Sequence, residues 1–367
     1  MTNKIITLFF IFISVILFSC AERAETTNEG KPVIRIGMIA PLSGEYAHLG
    51  NSMKQAAELA IMNLKDAKYD YRLIVENDGL ELKKDAVLAP KLINLDKVSA
   101  LISLSGGSGS VISPITEKSH IIHFGIASEP NVAKGYYNFI HWTQPKEEAR
   151  LLIERLKKLG MSRIALLTNN IAGAIAISKG IKDKINKTPG FELVFDENIN
   201  PGEKDFRLLI PKIEKAKPEV IVMQLYSPDI EIFYRQAKEG GVKIPLTTIE
   251  GITMASRPEV FEGIWFIDGA AATNDFNELY RETFNEYAKA VAANAYDIIN
   301  LLVYAYENTP PRAGDIKPTN EDVVSTLHTI KDFDSAFGKV SIDADGIVQS
   351  EASLKIVKDG NIVVLDE

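Results

Sequence analysis

Gly106-Gly107-Ser108-Gly109-Ser110 follows the apolar run Leu101–Leu104 and nearly forms the G-x-S-x-G turn that exposes a nucleophilic serine, but Ser110 stands where the last glycine belongs. The same stretch lacks the lysine of a phosphate-binding P-loop. Five histidines permit a Ser/His/Asp arrangement, yet no local signature supports one. His120 and His123, three apart around a strand, point to opposite faces and do not share a metal; packing or surface roles suit them better. These residues call for no catalysis, cofactor or metal. What remains is binding: amides at the carboxyl end of a parallel strand, opening a helix, favour an anion. Ser105 and Ser108 add hydroxyls there, and Gly125-Ile126-Ala127-Ser128-Glu129-Pro130 forms a second strand end of the same kind. Either loop alone reads as a plain βα turn; the two side by side read as a cradle for a carboxylate.

The elements that position these loops follow from apolar periodicity. Strands are expected at Val33–Ala40, Tyr71–Val75, Ala100–Leu104 and Ile121–Gly125, with helices at 51–66, 83–95 and 111–119 between them. Asn51 or Ser52 is placed to cap the first helix. The alternation restarts after Trp142, with strands at 163–167, 191–196, 220–224 and 245–249 and helices at 146–159, 174–187, 206–217 and 229–240. Two βα series of similar size predict an α/β fold of two lobes with mostly parallel sheets. The tail differs: a long helical region over 275–307, a strand at 337–342, and a hairpin turning at Lys358-Asp359-Gly360-Asn361.

The N-terminus sets the compartment. Met1–Ser19 holds one cation, Lys4, and an apolar stretch too short to span a bilayer, as in a secretory leader. Its Leu17-Phe18-Ser19-Cys20 ending resembles the lipobox of bacterial lipoproteins, and Cys20 is the chain's only cysteine, so it is the expected lipidation site. Residues 20–31 read as a polar tether. Of 367 residues, 348 remain after a 19-residue leader, enough for two lobes, and no disulfide can form within one chain. The net charge of −8 becomes −9 once Lys4 is removed, which argues against nucleic acid and leaves membrane attachment to the lipid.

The segment IRIGMIAPLSGEYAHLGNSMKQAAELAI resembles the opening of periplasmic solute-binding proteins of the leucine/isoleucine/valine-binding type. HWTQPKEEA, Asn200–Phe206, YRQAKEGGVKIP, AANAYD and FGKVSIDADG continue the likeness in order from Val33 to Leu365. The resemblance implies a type I periplasmic binding protein: two Rossmann-like lobes joined by a three-stranded hinge, with crossings near Thr143–Pro145, Gly269–Ala272 and Asp343–Ile347. Residues 32–144 with 271–345 would form the N-terminal lobe, and 145–270 with 346–367 the C-terminal lobe. It further implies that the first lobe holds an amino acid's carboxylate with Ser105, Gly106, Ser108, Ile126, Ala127 and Ser128, while Tyr226 and Glu250 of the second take its ammonium. Gly106 falls where the family often has serine, and Ala172-Gly173 where it has Tyr-Gly. Leu49 replaces a common aromatic, with Tyr46 one turn away, and a cysteine pair of some relatives is replaced by Glu81 and Ser105. Fewer aromatic walls imply a larger or branched apolar ligand side chain. The implied partners are that small molecule and an ABC permease, with the protein acting as an extracytoplasmic monomer; the same fold also suits a binder of another small carboxylate or amide, or a sensory or regulatory lipoprotein.

Overall fold

The computed structural model describes residues 26–27 and 30–365; the expected leader, Cys20 and most of the tether lie outside them. The first lobe is built from β1 (Val33–Ala40), α1 (Ala47–Met62), β2 (Asp70–Asn77), α2 (Leu82–Asn94), β3 (Ala100–Leu104), α3 (Gly106–Ser119), β4 (Ile122–Ile126) and β5 (Asn138–Ile140). Its strands pair in parallel in the order β2-β1-β3-β4-β5. Central strands such as VIRIGMIA are almost wholly apolar because helices cover both sheet faces.

The second lobe repeats the plan with α4 (Pro145–Lys158), β6 (Arg163–Asn169), α5 (Ala172–Asn186), β7 (Glu192–Ile199), α6 (Ile210–Lys215), β8 (Val220–Gln224), α7 (Asp229–Glu239) and β9 (Leu246–Thr247). The parallel order is β7-β6-β8-β9, and an Ile249–Ile267 bridge adds β10 (Trp265–Asp268). The chain then returns to the first lobe through α8 (Asn274–Phe284), α9 (Ala292–Asn308), α10 (Asn320–Leu327), β11 (Phe333–Ser335), β12 (Gly338–Ile342) and β13 (Val348–Gln349). It ends in the second lobe as β14 (Ser353–Lys358) and β15 (Asn361–Val364), with β14 antiparallel to β10. Leu301, Leu302, Val340 and Val348 share one core with Ile36, Met38 and Phe124, so the returning segment completes the first lobe.

The third crossing differs from expectation. Asp343–Ile347 is the turn between β12 and β13, where the Asp343 carboxylate accepts the amides of Asp345 and Ile347 at 3.0 and 2.9 Å. Ile347 bridges Ile140 of the first lobe, and the chain passes between lobes only after Gln349. Thr143 knots the three connections together. Its Oγ1 lies 2.8 Å from Ser350 Oγ and accepts the Ala270 amide at 3.0 Å.

Other differences have local causes. α1 begins four residues before Asn51, so neither Asn51 nor Ser52 caps it. Ser52 instead points into the lobe, bonding Tyr280 Oη at 2.8 Å and accepting the Lys289 amide at 3.0 Å. The expected 275–307 helix is two helices, divided where Asn285 and Val291 take left-handed φ of 55° and 69°. The final hairpin turns as expected, with Asp359 and Gly360 at φ 52° and 74°, as a type I′ turn requires.

Candidate functional site

Glu250 lies where the first-lobe segment after β4, at Ser128, meets the second-lobe segment after β8, at Tyr226. The chain leaves β9, passes Ile249 and puts Glu250 at φ 60°, a left-handed conformation that costs a non-glycine residue about 1 kcal/mol or more. The neighbouring bonds impose it: the Glu250 amide donates to Ile267 O at 2.9 Å, and Gly251 presses on Leu225, where a Cβ would sit 2.6 Å from the carbonyl oxygen. The Glu250 side chain is thereby held in the interior, 2% exposed.

Three donors from three parts of the chain converge on this carboxylate. Ser128 Oγ, beyond β4 in the first lobe, donates to Oε1 at 2.6 Å. Trp142 Nε1, on the first crossing, donates to the same oxygen. Tyr226 Oη, beyond β8, donates to Oε2 at 3.0 Å. Tyr226 is itself placed by Asn169 Oδ1, which accepts its amide at 2.8 Å, while Asn169 Nδ2 donates to Asp229 at 2.7 Å.

The surroundings are rich in carboxyls. Glu148, in the first turn of α4, is fully buried against Glu250. Asp268 on β10 receives Lys355 Nζ at 2.5 Å and Thr253 Oγ1 at 2.7 Å. Burial pushes the Glu250 carboxyl above its ordinary range despite its donors. Burial, then the Glu250 charge, push Glu148 well above it, and Tyr226 is raised by the same two causes. Charge-assisted hydrogen bonds in such a dry setting are strong, so a compact cation suits this place.

On the first lobe the hydroxyls are distributed otherwise than the sequence suggests. Ser105, at φ 87°, caps α3 by accepting the Ser108 amide at 3.2 Å. Ser108 is fully buried and turns its Oγ inward to Asp78 at 3.5 Å. Gly106 opens α3 in a place where a Cβ would meet Glu129 Cβ at 2.8 Å and the Gly173 amide at 3.4 Å. A serine would not fit there, which accounts for the glycine, and Ala172-Gly173 is the surface it faces across the lobes. Ile126 and Ala127 are buried beside Ser128. Tyr46 Oη reaches across to Ser227 O at 2.7 Å, whereas Leu49 packs into the first-lobe core.

Ser128, Tyr226 and Glu250 therefore meet as a unit, and Tyr46 bridges the same boundary. Sequence reasoning missed Trp142 and Glu148 as functional groups. Both lie in HWTQPKEEA, and an indole N–H donor six residues before a first-turn glutamate was the available signal.

Residues 33–361 match the sequence profile of the family described as Periplasmic binding protein. The chain belongs to that family. It is 25% identical to Leu/Ile/Val-binding protein homolog 3 of Brucella melitensis, covering 97% of each chain. It is 24% identical to the Leu/Ile/Val-binding protein BraC3 of Rhizobium johnstonii, over 91% of this chain and 94% of that one. Its fold matches a leucine-binding protein, LivK, of Thermotoga maritima with TM-score 0.80 at 22% identity, covering 91% of this chain and 98% of the other. LivJ of Streptococcus pneumoniae, solved with isoleucine, aligns with TM-score 0.77 at 23% identity over 90% and 97% of the two chains. These likenesses establish a type I periplasmic binding fold, and the two relatives are named as binding proteins, not enzymes. No helix among the described residues is long and apolar enough to cross a membrane.

Proposed function

We propose that this periplasmic binding protein is a lipid-anchored, extracytoplasmic receptor that captures an amino acid with an apolar or branched side chain and delivers it to an ABC permease, without catalysing a reaction. The observation that carries the reading is Glu250, a buried carboxylate that takes donors from both lobes and the first crossing. An α-ammonium would pair with Glu250 and Tyr226. The ligand carboxylate would meet backbone amides at Ser105–Ser108 and Ile126–Ser128, where α3 begins and β4 ends. A zwitterion spanning the boundary gains both sets of contacts only when the lobes are together, so binding favours closure.

The lobes would comprise residues 32–144 with 271–349, and 145–270 with 350–365, since β13 pairs within the first. Lipidation at Cys20 would hold the protein at a membrane surface. Thermal shifts with L-amino acids and small organic acids, on a soluble chain beginning after Cys20, test the function. A ligand binding only the folded state raises the melting temperature by mass action. Stabilisation by leucine, isoleucine or valine supports the reading; stabilisation only by acids lacking an ammonium would replace the substrate class. Globomycin-sensitive processing and loss of membrane attachment in Cys20→Ala test the anchor.

A further inference from the structure

Glu148 places a second carboxyl in the site that the proposed function assigns to the ligand's cation. It rises from the first turn of α4, is fully buried, and faces Glu250. Neither of its oxygens is reached by a protein donor among the described residues. Glu250 differs in this respect, since Ser128, Trp142 and Tyr226 all donate to it. Two carboxyls in contact cannot share a hydrogen bond unless one carries a proton, and the donorless one is where it belongs.

We propose that Glu148 and Glu250 together hold one proton in the ligand-free protein and exchange it for the ligand's ammonium on binding. This inference rests on the amino-acid reading of the site. In the exchange the O–H bond of the Glu148 carboxylic acid breaks, its electron pair stays on the oxygen, and the proton passes to solvent. The site charge is −1 before, from one carboxylate, and −1 after, from two carboxylates and one ammonium. A buried site is spared any change in net charge, which is the step that burial would penalise most.

The other groups around the pair do not supply the proton. From β10, Asp268 is neutralised by Lys355 of β14. Tyr226, and Tyr46 at the start of α1, are phenols driven upward by burial and remain protonated. Asp229 and Glu231 of α7 act on Tyr46. On α4 itself, Glu147 pairs with Arg150 at the surface. The N-terminus of α4 favours a charged Glu148, but burial beside a second carboxylate opposes it. Glu148 is therefore a positioning and proton-holding residue, and a glutamine there keeps a donor toward Glu250 while removing the proton to exchange.

Infrared difference spectra of the ligand-free protein at about neutral pH, wild type minus Glu148→Gln, test the shared proton without any ligand. A carboxylic-acid carbonyl band present in the wild type and absent from the variant is the expected result. Calorimetry with L-leucine in two buffers of different ionisation enthalpy then counts protons. Wild type should release up to one, with affinity rising by up to about tenfold per pH unit through the titration of the pair. Glu148→Gln should bind leucine with no proton release and a flat pH profile, whatever its affinity at any single pH. Absence of the carbonyl band, or equal proton release by the two proteins, overturns the proposal. If the band is present but no amino acid binds, the shared proton stands, and both the exchange and the functional reading fail.

Discussion

Ser128 Oγ and Glu250 Oε1 are joined by a 2.6 Å hydrogen bond that runs from the end of β4 in one lobe to the end of β9 in the other. Glu250 is thus a junction as well as a candidate ligand group. A carboxylate offers about four acceptor positions, and Ser128, Trp142 and Tyr226 occupy three of them. An ammonium arriving there completes the set. Under the proposed function, the same atoms would fix the position of the lobes and read the ligand.

Trp142→Phe keeps the ring's bulk and deletes the N–H donor. Hydrogen bonds to charged groups contribute about 1.5–3 kcal/mol, so ligand affinity should fall roughly 10- to 100-fold. Calorimetry with leucine reads this directly, and circular dichroism should show the fold unchanged. An unaltered Kd would mean that the indole serves packing alone, beside Gly269, where a Cβ would lie 3.5 Å from it.

Thr143→Val removes the hydroxyl that accepts the Ala270 amide and meets Ser350. Leaving a half-buried amide without its acceptor should destabilise the protein by about 1–2 kcal/mol in urea unfolding. Because all three connections lose their common tie, the scattering-derived radius of the ligand-free variant should exceed that of the parent.

Much of this arrangement was legible in the sequence. The strand at Ala100–Leu104 falls where its four apolar residues around Ser103 predicted it, because a strand buried on both faces leaves a nearly continuous apolar run. Tyr226 and Glu250 were singled out by the family resemblance; their places after two strands alone would read as a packing aromatic and a solvated loop carboxylate. The fates of Ser105 and Ser108 were not, because the sequence does not reveal that Asp78 and Asp85 lie beneath α3 and draw Ser108 inward. Nor was the Glu148–Glu250 contact, which joins residues from α4 and the end of β9. Glu148 read only as an acidic residue at a helix start, where surface glutamates are common. The third crossing reads from the sequence as Asp343–Ile347, because that Asp- and Gly-rich run looks like a connecting segment. It instead turns β12 into β13, and the connection after Gln349, Ser350-Glu351-Ala352, carries neither residue.

Asp85 is fully buried beside Asp78 and Ser108, and burial pushes its carboxyl from 3.8 to about 6. The native state therefore binds this proton more tightly than the unfolded chain, so stability declines as pH rises through that interval and the deficit is complete above it. Asp85→Asn should gain on the parent as pH rises from about 4 to 7, by on the order of 1 kcal/mol. Denaturant midpoints across that range check it; a constant difference would contradict it.

His123 has the opposite sign. It is fully buried, bonded to Ser103 Oγ at 2.8 Å and Asn138 Oδ1 at 3.2 Å, and burial lowers its pKa from 6.5 to about 4. The unfolded chain binds this proton more readily, so stability is complete above the unfolded value and falls as pH drops toward the folded one. His123→Gln should lose stability at neutral pH through its altered bonds. It should also show a shallower acid decline, recovering on the order of 2 kcal/mol relative to wild type by about pH 4. Parallel pH profiles for the two proteins would contradict the assignment.

The most direct measurement is calorimetric titration of L-leucine, isoleucine and valine into the soluble chain and its Glu250→Gln variant, each first unfolded, freed of bound ligand and refolded. The wild type should show one binding site and the variant a loss of at least about 100-fold, since a buried charge pair is removed while shape is kept. Equal affinity in both proteins would show that Glu250 does not hold the ligand's ammonium. Binding of none of these amino acids, by a wild type that has refolded cooperatively, would contradict the amino-acid reading itself.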